Sequence, residues 1–441
     1  MALSALVLAL SVARAQELSG WVELRNSWQV GADGKPWQLI GDVRPTFDLP
    51  IGKRVSFSIT PELTLLGGRD TSVELRRTLE ASDFGPLLDA AGCTWPDGTT
   101  YQTGIDAIET HLSVERLYVD AYLPKIDLRV GRQPLQWGSG LMIHPTDPFD
   151  EVLFTEPWKQ RRGVNAIRAT IPLGEVEQIQ GIVSLDDTFH KVRAAVRATA
   201  NAGGFDVSVV GAYRQDDKQG LVGLDIKGTA GVGLWFEGAL KLGGDDPFKM
   251  KWSESLVAGL DYSFPVLERI YLAGQYVRQG DGTLNTDDPA ALAGRMSAGG
   301  TATLPDCGDV PVGDLFGAGT STSEPATSSF ASPFAGRDYL LLTTSFGFIP
   351  ELSLNLVGLQ NLDDGTGVFV PTLSSSPTGW LNLSVSAQVP YKMWGDGGEF
   401  KPSASTTTIS ATPIPGLPAL KADLGGLVPD AQLSVWARAN F

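Results

Sequence analysis

Residues 431–441 read Ala431-Gln432-Leu433-Ser434-Val435-Trp436-Ala437-Arg438-Ala439-Asn440-Phe441. Leu433, Val435, Ala437, Ala439 and Phe441 alternate with Gln432, Ser434, Trp436, Arg438 and Asn440, so an extended chain puts the two sets on opposite faces. The same period of two recurs along most of the chain. Leu18, Val22 and Leu24 alternate with Ser19, Glu23 and Arg25; Leu39, Val43 and Phe47 with Asp42, Arg44 and Asp48; Val55, Phe57, Ile59, Leu63 and Leu65 with Ser56, Ser58, Thr60, Glu62 and Thr64. Further strands are predicted over residues 112–123 and 126–137. Others centre on Ile167, Val183, Val196, Val207, Leu224, Leu234, Leu260, Leu272, Leu342, Leu354, Val370, Leu383 and Val435. The count is about eighteen, within a range of 16–20.

The 441 residues are 42% hydrophobic and 19% charged, and after the first fifteen no apolar run approaches the roughly 20 residues of a membrane-spanning helix. A soluble β protein of this length more often divides into domains, yet no linker or change of pattern interrupts the strands. The links point to a membrane barrel. Every second link is short, as at residues 124–125, 201–204 and 350–351, and the links between include all the long ones, over 68–109, 138–163, 243–253, 281–335 and 392–430. A membrane barrel predicts short turns at one end and long loops at the other, whereas a soluble sandwich has no reason to keep them apart. No strand spans lipid alone, because its backbone polar groups would go unsatisfied, so the strands must close on one another.

Two stretches carry a resemblance. An alternating strand ending on Phe441 resembles the terminal strand of bacterial outer-membrane β-barrels. The run Gly131-Arg132-Gln133-Pro134-Leu135-Gln136-Trp137-Gly138, with His144-Pro145-Thr146-Asp147-Pro148-Phe149 beyond it, resembles a Gly-Arg-Gln-x-x-x-Trp-Gly signature of outer-membrane porins and alginate-export-like barrels. The resemblance implies an all-β, transmembrane, antiparallel up-and-down barrel of about 18 strands (16–20) in the bacterial outer membrane. Its C-terminus would be periplasmic, its environment the lipid bilayer, and Phe441 the signal read by the outer-membrane assembly machinery. The implied function is a porin-like channel for passive diffusion of small hydrophilic solutes. The alternatives are a conduit for a secreted polysaccharide and, from another class, a surface receptor or adhesion barrel whose acidic loops bind a partner.

The apolar stretch over residues 2–12, followed by Ala13-Arg14-Ala15, fits a secretory signal over residues 1–15 with a small-x-small cleavage site. Residues 16–441 are then one barrel with long extracellular loops at 69–108, 139–162, 281–335 and 392–430. Two cysteines, Cys93 and Cys307, suit an exported chain with at most one disulfide. Both fall in long links at the same end, so a bridge across the mouth is expected; free thiols are the alternative. Mass spectrometry of the unreduced protein decides: the Cys93 peptide should run joined to that of Cys307.

With apolar residues facing lipid, the inward acids are Glu23, Asp42, Asp48, Glu62, Asp120, Asp127, Asp206, Asp225, Glu237 and Asp261. The inward bases are Arg25, Arg44, Arg116, Arg129, Arg168, Arg193, Arg197, Arg214, Lys227, Lys241 and Arg438. Arg116, Asp120, Arg129, Arg132, Arg168, Arg193, Arg197, Arg214, Glu237, Lys241 and Asp261 are the candidate pore-lining residues. A wall rich in both signs fits a wet lumen, since so many charges in a dry core would be costly. Its near balance leaves the net charge of −16 mostly in the loops, and that charge argues against nucleic acid and against export of an anionic polymer.

Alternation breaks at Gly131. Leu128 and Val130 face out, so Arg132 would face lipid at a cost of roughly 2 to 4 kcal/mol near mid-membrane, which predicts a bulge at Gly131. The neighbouring strand breaks phase at Glu115-Arg116. The link that follows is expected to enter the lumen, held by Arg116, Arg129 and Arg132, or else to brace the wall. No catalytic residue is expected: His111, His144 and His190 sit in no nucleophile motif, Gly138-Ser139-Gly140 lacks a strand-to-helix elbow, and Asp186-Asp187 near His190 reads as a solvated loop. Neither cysteine has ligand neighbours, so no metal or other cofactor is expected.

Overall fold

The computed structural model describes residues 18–31, 37–69, 109–149, 163–185, 191–215, 218–243, 251–266, 269–282, 334, 336–401, 408–411, 420–423 and 429–441. The strands are β1 (Leu18–Val30), β2 (Trp37–Ile51), β3 (Val55–Arg69), β4 (Glu109–Tyr122), β5 (Asp127–Gln133), β6 (Val164–Pro172), β7 (Gln178–Leu185), β8 (Val192–Ala202), β9 (Phe205–Arg214) and β10 (Gln219–Thr229). They continue as β11 (Gly233–Gly243), β12 (Lys251–Phe264), β13 (Arg269–Gln279), β14 (Asp338–Ile349), β15 (Leu352–Asn361), β16 (Thr366–Ser375), β17 (Leu381–Lys392), β18 (Thr408–Ala411), β19 (Leu420–Asp423) and β20 (Ala431–Asn440).

All but β18 and β19 form one 18-stranded antiparallel sheet, each strand paired with its neighbour in sequence. The sheet closes because β20 pairs with both β17 and β1. The fold is therefore the closed, all-antiparallel barrel that the alternation predicts. Each predicted strand centre falls in one of the eighteen barrel strands. Short turns sit at one end, such as the two residues between β8 and β9, and all the long links sit at the other. The small β18–β19 hairpin lies in the link after β17 and is too short to show as a periodic pattern.

The burial pattern is that of a membrane protein. Leu24, Val183, Val196, Val209, Val222, Leu260 and Val385 face outward and are exposed, while Glu23, Ser184, Ser208, Asp225, Glu237 and Ser434 on the other face are buried. Exposed aromatics stand near both rims: Tyr122, Tyr262, Phe264, Phe348 and Trp380 at the short-turn end, Trp28, Tyr213, Trp252, Tyr276 and Trp394 at the other. This is the belt arrangement that suits rings with one apolar and one wet side.

The seam between β1 and β20 is an ionic and backbone clasp. Glu23, almost fully buried, accepts from Arg25 Nη2 at 2.5 Å and from Arg438 Nη2 at 2.6 Å and Nε at 2.8 Å. The Arg438 guanidinium lies 4.6 Å from the Trp21 ring centre. Phe441 and Gly20 exchange two backbone hydrogen bonds of 2.9 Å, and the Phe441 ring lies so close to Gly20 that a Cβ there would sit 2.8 Å from its Cζ.

Two local expectations are corrected. The fifth strand stops at Gln133, not near Trp137, because Pro134 has no N–H to continue the ladder. No bulge interrupts Gly131: Tyr118 and Ala166 oppose it in unshifted registers, and Arg132 keeps the outward phase of Val130, opposite Leu117 and Asn165. The irregularity lies on β4, at the phase break expected at Glu115-Arg116: Thr60 pairs with Arg116 but Pro61 with Val114, leaving Glu115 as the extra residue opposite the N–H that proline lacks. Gly131 absorbs the local distortion through a φ of +126°, and a Cβ there would collide with Leu117 O. Gly131→Ala is expected to lower barrel stability by about 1 to 3 kcal/mol, measured as an earlier thermal transition in detergent. Cys93 and Cys307 lie outside the described residues.

Candidate functional site

After Gln133 the chain turns into the barrel. Leu135, Trp137 and Phe149 are buried with Ala166, Ile182, Ala195, Val210, Leu221 and Ala239, residues of the inward faces of β6 to β11. Trp137 and Phe149 meet edge to face at 5.6 Å. Leu141, Met142 and Ile143 pack on a second apolar cluster that includes Trp235, Val257, Ala273, Tyr339, Leu341 and Leu359. The segment also braces itself. Asp147 accepts from Trp137 N at 3.0 Å and Phe149 N at 2.9 Å, and its own N–H donates to His144 O.

Glu237, on β11 and fully buried, is the anchor. Its carboxylate accepts from Ser139 N at 2.8 Å, Gly140 N at 2.6 Å, Thr146 Oγ1 at 2.6 Å and Thr146 N at 3.3 Å; His144 Nδ1 lies 3.6 Å away. Four donors around one carboxylate explain how a charge sits in this enclosed place. Gly138 permits the approach: its φ is +84°, and a Cβ would stand 2.7 Å from Glu237 Oε2. Around it, Gln275 Oε1 accepts from Leu141 N at 2.7 Å and Trp235 Nε1 at 2.9 Å. Ser139 Oγ donates to Asp225, whose other oxygen takes Arg197 Nη2 at 3.1 Å.

The segment thus enters the lumen, and the acceptors that seat its described part stand on β10, β11 and β13. Asp225, Glu237 and Gln275 accept these hydrogen bonds, while Arg129 donates to Asp120 at 2.6 and 3.0 Å and lies over the Tyr118 ring. An apolar NH-rich turn needs acceptors, which arginine does not supply.

The candidate wall residues fall into two sectors. The bases other than Lys241 stand on β4 to β9, with the acid Asp120 among them: Arg116 opposite Thr60 beside the bulge, Arg129 opposite Arg168, Arg193 opposite Arg214, and Arg197 opposite Val210. The acids Asp225, Glu237 and Asp261 stand on β10 to β12, with Asp261 accepting from Tyr271 OH at 3.3 Å. Lys241 lies among them, 3.3 Å from Asp281. The inner wall is not polar throughout: from β6 to β16 two apolar clusters interrupt the polar inward residues, reaching Val368 and Val370 on β16. Gln275 and the inward apolar residues escaped the sequence reading. The available signal was doubled apolar pairs such as Ile182-Val183, Val209-Val210 and Trp235-Phe236, in which both phases are apolar.

A second clasp ties Phe334, Gly336 and residues 393–401 to the rim. Glu399 accepts from Tyr339 OH and from Asn361 Nδ2 at 3.0 Å; Asp364 accepts from Glu399 N at 2.7 Å and Thr366 N at 2.7 Å. Phe400 packs beside Phe334 and Tyr339, joining this strap to the apolar cluster under Leu141 to Ile143.

No family model matches the chain, and no curated protein matches it. Solved structures do. OccAB3 of Acinetobacter baumannii superposes with a TM-score of 0.50 at 9% identity, over 96% of this chain and 100% of that one. OccK7 (OpdD) of Pseudomonas aeruginosa superposes with a TM-score of 0.50 at 9% identity, over 97% and 99%. At such identities the likeness is one of architecture, and it extends over the whole closed 18-stranded antiparallel barrel.

Proposed function

We propose that the chain is an outer-membrane channel through which small hydrophilic solutes diffuse passively, narrowed by the segment over residues 134–149. The observation that carries this reading is the segment's seat: Glu237 gathers Ser139, Gly140 and Thr146 inside an apolar-outside barrel, so the chain itself occupies part of the lumen. A barrel needing only to exist in the membrane has no use for such a device, whereas a pore of defined width does. Arg116, Asp120, Arg129, Arg168, Arg193, Arg197, Arg214, Glu237, Lys241 and Asp261 belong to its wall. Arg132, opposite Leu117 in register but with its Nε buried, is part of the same proposal. In this reading the short-turn end, where β20 closes on β1, faces the periplasm, and Phe441 is the element that the assembly machinery engages.

Planar-bilayer recording tests the reading: purified, folded protein should insert in discrete conductance steps, and the absence of steps would overturn it. Reversal potentials should show a modest cation preference, stronger at low salt where the acidic loops are less screened. An anion preference would refute that charge map.

A further inference from the structure

We infer that solutes pass on the seam side of the barrel, between the inserted segment and the inward faces of β16, β17, β20, β1 and β2, and that this passage suits uncharged polyhydroxylated solutes. The inference rests on the channel reading above and adds the route and the solute class.

The two sides of the lumen differ in what covers them. Inward Val210, Leu221, Val257, Ala273 and Tyr339 on β9 to β14 are sealed to 1% exposure or less beneath the apolar clusters that take up the segment. Neither cluster draws a buried residue from β17, β20 or β1 to β5. On that side inward Trp21, Thr46, Thr372, Asn382 and Trp436 are only half-buried, and Gln38 is exposed. The segment is therefore packed on β6 to β16, and the seam side keeps these accessible inward side chains around a buried middle of Glu23, Arg25, Ser27 and Arg44.

The seam side also has its own chemistry. Thr372, Ser386, Ser434 and Ser27 stand in one lateral register across β16, β17, β20 and β1, with Thr372–Ser386 at 2.9 Å and Ser27–Ser434 at 3.0 Å. A parallel Ser374–Ser384 pair lies at 3.0 Å. Ser27, Ser384, Ser386 and Ser434 are themselves buried, so the accessible hydroxyls of these rows are those of Thr372 and Ser374, which both donate and accept, as solute hydroxyls do, and need no charge partner. Several charged groups nearby are already matched: Glu23 by Arg25 and Arg438, Arg44 by Glu62 at 3.2 Å and Glu115 at 3.4 Å, while Asp42 accepts from Thr64 Oγ1 at 2.6 Å. A free carboxylate or ammonium on a solute would have to compete with those pairs.

The test places single cysteines in a Cys93→Ser, Cys307→Ser background and exposes the folded, liposome-borne protein to a sulfonated, membrane-impermeant thiol reagent. Thr372→Cys and Gln38→Cys should label and lose conductance on labelling, and Val210→Cys and Ala273→Cys should label only after unfolding. Gln38, being exposed at a strand start, keeps the test readable if the Thr372 variant misfolds. In swelling assays of the parent protein, hexoses should enter faster than hexuronates of the same size. Labelling of Val210→Cys or Ala273→Cys without the seam positions overturns the route while leaving the channel reading intact. Faster hexuronate entry overturns the solute class. Seam labelling in a protein with no conductance overturns the channel reading and the solute class with it.

Discussion

Glu237→Ala should turn a steady channel into one broken by frequent closures, with the open level unchanged and the mean current reduced. The substitution strips the acceptor from Ser139 N, Gly140 N and the Thr146 N–H and hydroxyl at once. A buried donor left unmade costs about 1 to 3 kcal/mol, so the seated position loses about 4 kcal/mol or more. That shifts the ratio of seated to unseated segment by roughly three decades, enough to make a rare excursion common. The unseated segment has one place to go, the open side of the lumen. Glu237→Gln, which keeps an acceptor oxygen but no charge, should fall between parent and Ala. Single-channel recordings with unbroken current in Glu237→Ala would show that the segment does not gate the conduit.

Glu23→Gln should have the largest effect on stability. Two guanidinium groups, Arg25 and Arg438, share this one buried carboxylate, and losing it leaves the buried Arg25 cation facing the half-buried Arg438. Breaking a buried ionic group from one side costs about 3 to 5 kcal/mol, and here the break falls on the strands that close the sheet. The expected readout is a lower temperature at which the folded, fast-migrating band in detergent gels converts to the unfolded one. Adding Arg25→Gln should restore part of the loss, because one of the two stranded charges is then gone. An unchanged transition in Glu23→Gln would mean that the seam is held by its backbone ladder alone.

The barrel was legible because lipid on one side and polar groups on the other impose a period of two on every strand, as in Leu18 to Arg25 and Leu433 to Arg438. The inside of the barrel was less legible. Glu237 and Ser139 are 98 residues apart, and no local pattern links an isolated strand acid to a glycine-rich link. Only closure brings β11 in front of the chain that leaves β5. The arginines on β4 and β5 were the near neighbours, which is why they drew the assignment. The apolar inner face was misread for a related reason: the period-two argument assigns every apolar residue to lipid, and Val210 beside Val209 breaks that assumption. Gly131 was recognised as the site of a distortion, but an inserted residue and a positive φ leave the same trace in the sequence.

The seam also dictates the order in which the molecule can come into being. Glu23 and Arg438 are 415 residues apart, so every other neighbouring-strand contact can form before this one. Bringing ends so distant together costs about 5 kcal/mol in chain entropy alone, regained only when the full ladder between β1 and β20 zips. Until then β1 and β20 are bare sheet edges, each a template for pairing with the wrong chain. A copy released into water at that stage would be one hairpin short of safety and prone to join other copies edge to edge. The clasp of Glu23, Arg25 and Arg438 therefore acts as a late lock in biogenesis, and its failure should show first as aggregates during synthesis, before any defect in the finished pore.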